Sequence, residues 1–460
     1  MTPTSLNTLL HDRATPGGEV VRSSRGSWTA EQLQAVTDIE SLAAAATHGS
    51  VALRLADPEK MILALVALDG QVDRLLLLSP DAQQDEASAL LERFGADALL
   101  CDDSDGINPA DATLIDWSEP VQRPLTDRKT QAGGHSRVAT QWILATSGTT
   151  GNPKLVGHDL ASLTRTTKAA KSGNAPRWGQ LFSMSRFAGV QVLLQGLAGG
   201  VIILPEPEWD LSDQIAFLAD QSCDALSATP TLWRKILMTP GHENLALKQI
   251  TLGGEIADEG VLRSLARSYE TARITHIYAS TEAGAAFSVN DGKAGFPARF
   301  LEEPPKGINI RVADGRLFVQ NPLVRPSYLN SAESFVGTDG FVDTGDMINI
   351  VGDRCFFLGR ANGFINVGGN KLLPEEVEQV LLSDDAVQLA RVYPKKSPIT
   401  GQLVIADVVL GQPGVEPEAV KAALKALCAE RLARWKVPAI IRIVDSLAIS
   451  SGSKIDRKSN

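Results

Sequence analysis

The chain has 460 residues, enough for two or three domains at roughly 150 residues each. Its 43% hydrophobic and 21% charged residues are those of an ordinary globular protein, which excludes a disordered chain, a fibre and a coiled coil. Lys and Arg total 44 against 54 Asp and Glu, a net charge of −10. That balance argues against nucleic-acid or anionic-membrane partners but leaves room for a local basic pocket.

In chain order, the first hundred residues alternate short apolar runs with helical patterns. Residues 50–56 (SVALRLA) predict a strand and 58–70 a helix with proline in its first turn. A second strand follows at 73–80, a helix at 81–95 ending on Gly95, and a third strand at 96–103. Such alternation points to a layered α/β sheet. A polar stretch, 126–137, precedes the apolar strand 141–145 (QWILA), and alternation resumes from 189 to 277 with strands VIILP, CDALSA and QITLGG. Residues 317–319 and 341–342 predict short antiparallel strands of a β-rich subdomain.

The last hundred residues predict a small α+β domain: helix 374–382, strands 388–393 and 403–410, helix 416–435 and strand 439–444. A joint at Arg360–Gly363 sets the boundary, with an N-terminal domain of residues 1–361 and a C-terminal domain of 362–460. Cys101, Cys223, Cys355 and Cys428 show no metal-ligand spacing and read as core residues in a reducing compartment. The first 18 residues lack a basic start followed by an apolar run. The longest apolar stretch, 190–204, holds two glutamines and three glycines and is too short to span a bilayer. A cytoplasmic protein with no membrane span is expected.

The strongest chemical signal is TSGTTGNPK, residues 146–154, directly after the strand QWILA. Gly148 and Gly151 allow backbone N–H groups to converge on an anion. Thr146, Ser147, Thr149 and Thr150 add hydroxyls and Lys154 adds charge, so the segment is a candidate phosphate cradle. It is not a Walker loop, because no Gly-Lys-Ser/Thr follows the glycines.

This loop resembles the signature of the adenylate-forming (ANL) superfamily, which includes acyl- and aryl-CoA ligases, firefly luciferases and non-ribosomal peptide adenylation domains. Five further motifs resemble the family's in the same order. LGGEIAD (252–258) is similar to its adenine-contacting loop, bringing in Gly253, Gly254 and Glu255. HIYASTEAG (276–284) is similar to its aromatic-Gly-x-Thr-Glu motif. DTGDM (343–347), GRANGFINVGGNKLLPEEVE (359–378) and SGSKIDR (451–457) match the TGD, hinge and C-terminal lysine motifs.

The resemblance implies ATP, Mg²⁺ and coenzyme A as cofactors and a small carboxylic acid as substrate. It implies that Tyr278 stacks on adenine, with His276 and Ala279 beside it, and that Thr281 touches the α-phosphate. Glu282 is implied as the Mg²⁺ ligand, a single carboxylate sufficing beside phosphate oxygens. Asp346 and Arg360 would hold the ribose, and Lys454 would be the catalytic lysine on a small mobile domain that rotates about Asn362. Gly368 and Gly369 would border the thiol tunnel. The implied fold is a large N-terminal domain of α/β sheets with a β-rich subdomain, followed by that α+β domain.

Some positions depart from the family pattern. SRFAG puts Arg186 where many relatives carry histidine, followed by Phe187 and Gly189. Arg186 reads as a cation near the entering carboxylate or a second acidic group, or as a surface arginine with a partner. Ala279 replaces a customary glycine and should narrow an acyl pocket that also includes Gly253 and Gly284. Ser183 stands where amino-acid-activating relatives place an aspartate, so α-amino acids should be rejected. The last thirty residues carry seven Lys and Arg against two Asp, which suits the 3′-phosphate of coenzyme A or a solvated tail. Coenzyme A is the favoured acceptor; a separate acyl carrier protein or an amine is the alternative.

Overall fold

The computed structural model describes residues 5–13, 17–36, 39–103, 109, 111–121, 138–146, 153–167, 175–325, 327–331, 333–397, 401–411, 416–448 and 454–455. Strands form where apolar runs are buried on both faces, as a parallel sheet under helices requires. In the first sheet Ala98–Cys101, Ser50–Arg54, Arg74–Leu77 and Gln141–Ala145 run parallel. Thr113–Asp116 closes one edge, and the antiparallel Leu155–His158 closes the other. The connecting helices carry their own punctuation. Asp57 accepts from the N–H groups of Glu59 and Lys60 at the start of Pro58–Leu68, and Gly95 in the left-handed region ends Gln84–Phe94.

The second sheet has eight strands in the order Gly284–Val289, Arg273–Ser280, Gln249–Gly253, Ala225–Ala228, Arg177–Gly179, Val201–Leu204, Glu19–Ser23 and Gly26–Thr29. The apolar stretch 190–204 divides between helix Phe187–Gly199 and strand Val201–Leu204. They part at Gly200, where a Cβ would lie 2.5 Å from the Pro176 carbonyl oxygen. The buried Arg13 caps the end of that helix by donating to the carbonyls of Gly196, Leu197 and Gly200 at 2.7–2.8 Å.

One apolar cluster joins both sheets through Trp28, Leu53, Leu75, Trp142, Val190 and Ile202. Asp69 is buried at its margin and accepts from Leu6 N–H at 2.7 Å and Trp142 Nε1–H at 2.8 Å. Burial nevertheless pushes its pKa up to about 6.

A third, antiparallel sheet orders Phe296–Pro297, Arg354–Arg360, Val342–Val351, Arg316–Gln320 and Asn309–Ala313. The fourth comprises Asn370–Leu372, Ile365–Val367, Gly401–Leu410 and Val387–Ser397, with Ile440–Ile443 on Gly401–Leu410. Helices Pro374–Leu381 and Pro417–Arg431 belong to the same part of the chain. The helix expected over 416–435 is shorter, because Leu432 turns extended and a 3₁₀ turn follows at Arg434–Lys436. This break lets Leu432, Trp435 and Val437 pack onto the core of that sheet.

Among the described residues no helix is long and apolar enough to cross a membrane. The four cysteines are buried free thiols. Burial pushes Cys101 and Cys428 up to about 11 and Cys223 up to about 12.

Candidate active site

The cleft begins where the first sheet ends. Strand Gln141–Ala145 leads into Thr146, whose N–H donates to the Lys154 carbonyl at 2.8 Å, so the two ends of the predicted phosphate loop are pinned together. Ser147, Gly148, Thr149, Thr150 and Gly151 lie outside the described residues. Lys154 Nζ stands 2.5 Å from Glu333 Oε1 and 4.5 Å from the centre of the Tyr328 ring.

Thr281 and Glu282 lie in the turn joining strands Arg273–Ser280 and Gly284–Val289, which pair from His276↔Val289 to Ser280↔Gly284. The turn is held from three sides. Ala283 N–H donates to Ser280 Oγ at 3.0 Å, Asn321 Nδ2 donates to Ala283 O at 2.9 Å, and His158 Nε2 lies 2.9 Å from Thr281 O. Gly284 has φ +69°, and a Cβ there would come within 3.0 Å of Asn321 Nδ2. Glu282 makes no hydrogen bond or ion pair with any described residue, though its charge reaches Tyr328. A carboxylate with no partner among the described residues has the donor chemistry Mg²⁺ takes alongside phosphate oxygens. No group of three or more His, Cys, Asp or Glu among the described residues is arranged to hold a metal without such added ligands.

The ribose candidates meet across strands. Asp346 and Arg360 are direct partners in the antiparallel ladder of Val342–Val351 and Arg354–Arg360. Arg360 Nε lies 3.2 Å from Asp346 Oδ1, and its Nη1 donates to Thr344 O at 2.7 Å. Desolvation raises the Asp346 pKa against the opposing pull of Arg360, Tyr278 and Lys454. Tyr278 lies near-parallel to Phe287 and Phe357, each with its ring centre 5.1 Å away. His276 is buried, with Nε2 3.1 Å from the Lys293 carbonyl, so that nitrogen is already bonded to the protein.

Lys454 reaches the same cleft from the far end of the chain. Gly254 has φ +80°, and a Cβ on it would stand 3.3 Å from Lys454 Cε and 3.7 Å from Nζ, so the glycine leaves room for the lysine. Gly253 ends the strand just before it, and Glu255 Oε2 accepts from Thr231 N–H at 3.0 Å. Lys454 is exposed as a residue, with its Cε and Nζ standing against Gly254. Desolvation lowers its pKa first; Glu255 and Asp346 oppose that shift, while Arg360 and Arg186 add to it.

Arg186 immediately precedes helix Phe187–Gly199. Its guanidinium makes no hydrogen bond or ion pair with any described residue, although its charge is felt at Lys454. Phe187 is buried, and Ala279 packs on the apolar cluster that contains Phe182, Met184 and Phe187. Gly189 has a packing role: a Cβ there would come 2.1 Å from the Ser183 carbonyl oxygen, so only glycine lets the 183–185 turn lie on the helix.

Asn362 is exposed in a turn after Arg360. Gly368 and Gly369, at φ +59° and +89°, form an exposed hairpin tip with no atom within 4 Å of a Cβ on either. Sequence reasoning missed His158, which ends strand Leu155–His158 and is 1% exposed. A lone histidine in a short apolar run gives no periodic signal. Glu333 was missed because its contact with Lys154 spans 179 residues of chain.

The model of the AMP-binding enzyme family matches residues 40–318, and that of its C-terminal domain matches 376–454. The 2-succinylbenzoate–CoA ligase of Bacillus licheniformis is 26% identical, over 89% of this chain and 88% of that protein. A crystal structure of the anthranilate CoA ligase AuaEII with anthranoyl-AMP superposes with a TM-score of 0.81 at 15% identity, covering 98% of this chain and 95% of that one. The o-succinylbenzoate CoA synthetase of Bacillus subtilis, bound to its acyl-adenylate, gives 0.74 at 22% identity, covering 99% and 97%. These structural likenesses speak for the fold. With its family model matching more than half of the chain and the model of its C-terminal domain matching a further stretch, this protein belongs to the AMP-binding enzyme family.

Proposed function

We propose that the protein is an AMP-forming acid–thiol ligase that joins a carboxylic acid to AMP and then passes the acyl group to coenzyme A. The observation that carries this reading is that Lys454, near the far end of the chain, stands against Gly254, its Nζ 3.7 Å from a Cβ built there, while Asp346 pairs with Arg360 and Tyr278. A carboxylate is a poor electrophile, and the mixed anhydride with AMP supplies a good leaving group. Charge developing on the α-phosphate calls for fixed cations and donors, which are worth more in a crowded cleft than in water.

In this reading Lys154 exchanges its contact with Glu333 for the phosphates, and Thr281 contacts the α-phosphate. Glu282 would hold Mg²⁺ with the phosphate oxygens, and that ion would supply charge neutralisation there. Asp346 accepts from the ribose hydroxyls and Arg360 orients it. Lys454 stabilises the adenylation transition state, then leaves as the small domain rotates about Asn362 to admit the thiol beside Gly368 and Gly369.

The acid is a compact one with a second acidic group. Supporting this are Arg186, whose guanidinium has no partner among the described residues, and the methyl of Ala279 on the apolar cluster with Phe187. The named relative's acid, 2-succinylbenzoate, is likewise aromatic with two carboxylates. Coenzyme A as acceptor follows the same relative, and the setting is cytoplasmic, where both cosubstrates are found. Pyrophosphate exchange over aryl, dicarboxylic, fatty and amino acids tests the first half. Acceptor assays with coenzyme A, an isolated acyl carrier protein and amines test the second. Release of ADP and phosphate in place of AMP and pyrophosphate would overturn the proposal.

A further inference from the structure

His158 sits at the join of three parts of the site. It ends the strand that follows the phosphate loop, its Nε2 lies 2.9 Å from the Thr281 carbonyl oxygen, and its ring centre is 5.3 Å from that of Phe187. A carbonyl oxygen only accepts, so Nε2 carries the proton and donates. Nδ1 faces the Ser162 hydroxyl at 3.2 Å, and Ser162 is itself fixed by its N–H donating to Asp159 Oδ1 at 2.8 Å. Asp159 caps the short helix Leu160–Thr164. The imidazole is thus held from behind by a helix start and points its one N–H at the backbone of the Thr281–Glu282 turn.

Among the described residues no other side chain bonds that carbonyl; the neighbouring bonds, to Ala283 N and Ala283 O, lie one peptide or more further on. The Thr281 carbonyl belongs to the peptide that joins Thr281 to Glu282. Turning this peptide would re-aim both side chains. The other face of the relationship is Phe187, the first residue of the helix that Arg186 precedes.

We propose that His158 is a positioning residue: its Nε2–H sets the Thr281–Glu282 peptide, and through Phe187 it ties that setting to the acyl side of the cleft. The inference rests on the adenylate-forming reading of the site. It assigns His158 no contact with substrate.

Two amide substitutions of different reach separate this role from simple core packing. Glutamine can place an N–H near the position of Nε2, whereas asparagine reaches only as far as Nδ1 and leaves Thr281 O without its donor. Both are polar and of similar bulk, so their unfolding temperatures should fall alike. His158→Gln should keep manganese–ATP affinity and pyrophosphate exchange within about threefold of wild type, while His158→Asn should lose on the order of tenfold in both, as expected for an orphaned buried carbonyl. Acyl transfer from a preformed acyl-adenylate should be unchanged in either variant.

Equal losses in the two variants would overturn the proposal, as would full retention of metal–nucleotide affinity by His158→Asn. Manganese–ATP binding, read from the paramagnetic relaxation of water protons, needs no turnover. If the wild type binds manganese–ATP but exchanges pyrophosphate with no acid, the ligase reading fails, while the difference between the glutamine and asparagine variants still decides the role of His158.

Discussion

Tyr278 Oη donates a 2.5 Å hydrogen bond to Asp346 Oδ2, linking the long strand of the second sheet to the TGD strand of the third. The opposite oxygen of the same carboxylate faces Arg360 Nε at 3.2 Å. The carboxylate is therefore aimed from both ends by the protein's own side chains. Tyr278→Phe keeps the ring against Phe287 and Phe357 but removes one aiming bond. It should raise KM for ATP by about tenfold, the equivalent of about 1.4 kcal/mol. KM for the acid should stay near wild type, and steady-state kinetics with each substrate varied in turn would check the split.

Lys454→Ala should slow adenylate formation by about two to three orders of magnitude, since one group stabilising a developing anion contributes roughly 3–4 kcal/mol. The same variant should still transfer acyl from a synthetic acyl-adenylate to the thiol. Equal loss in both half-reactions would show that the lysine acts throughout the cycle, contrary to the rotation described for the family.

Arg186→Gln should separate acids by charge. For an acid with a second carboxylate, kcat/KM should fall by roughly tenfold to a hundredfold, the range expected when a charge-assisted hydrogen bond worth about 1.5–3 kcal/mol is lost. For a neutral aryl acid the change should be under threefold. Pyrophosphate exchange with a matched pair of mono- and diacids would measure it, and a uniform loss would reassign the arginine to the common carboxylate.

Asp69 gives a stability prediction with a defined sign. Its pKa in the folded chain is about 6 against an ordinary 3.8, because burial disfavours the charged form. Between those values the native state binds more protons than the unfolded state, so this group's contribution to stability falls as pH rises from about 4 to about 6. Asp69→Asn removes that slope. The free-energy advantage of wild type over the variant should shrink by up to roughly 3 kcal/mol across the window and stay level above it. Denaturant unfolding of both proteins at a series of pH values would show this.

What the sequence made legible depended on how local the signal was. The strands and helices of residues 50–103 could be read because each is a short apolar run or a helical apolar pattern with its own cap or breaker, such as Asp57, Pro58 and Gly95. The hairpin Glu19–Ser23 and Gly26–Thr29 could not, since its partner strand, Val201–Leu204, lies far along the chain. The TGD strand was expected to be two residues long and runs to ten. Its polar centre, Asp343 to Asp346, hides a strand whose pairing with Arg354–Arg360 supplies what hydropathy does not. Candidate site residues embedded in motifs were named from the order of those motifs. His158 and Glu333 were missed because their meaning comes from contacts made 123 and 179 residues away.

The four thiols, sequestered in the interior with ionisation suppressed, have a practical corollary. Thiol-directed dyes react through the thiolate, so the native protein should be nearly silent to maleimides. Two cysteines placed on exposed positions either side of Asn362 would then be the only bright handles on the molecule. Energy transfer between them would test in real time whether the C-terminal region swings during turnover, without first stripping the protein of its own sulfur.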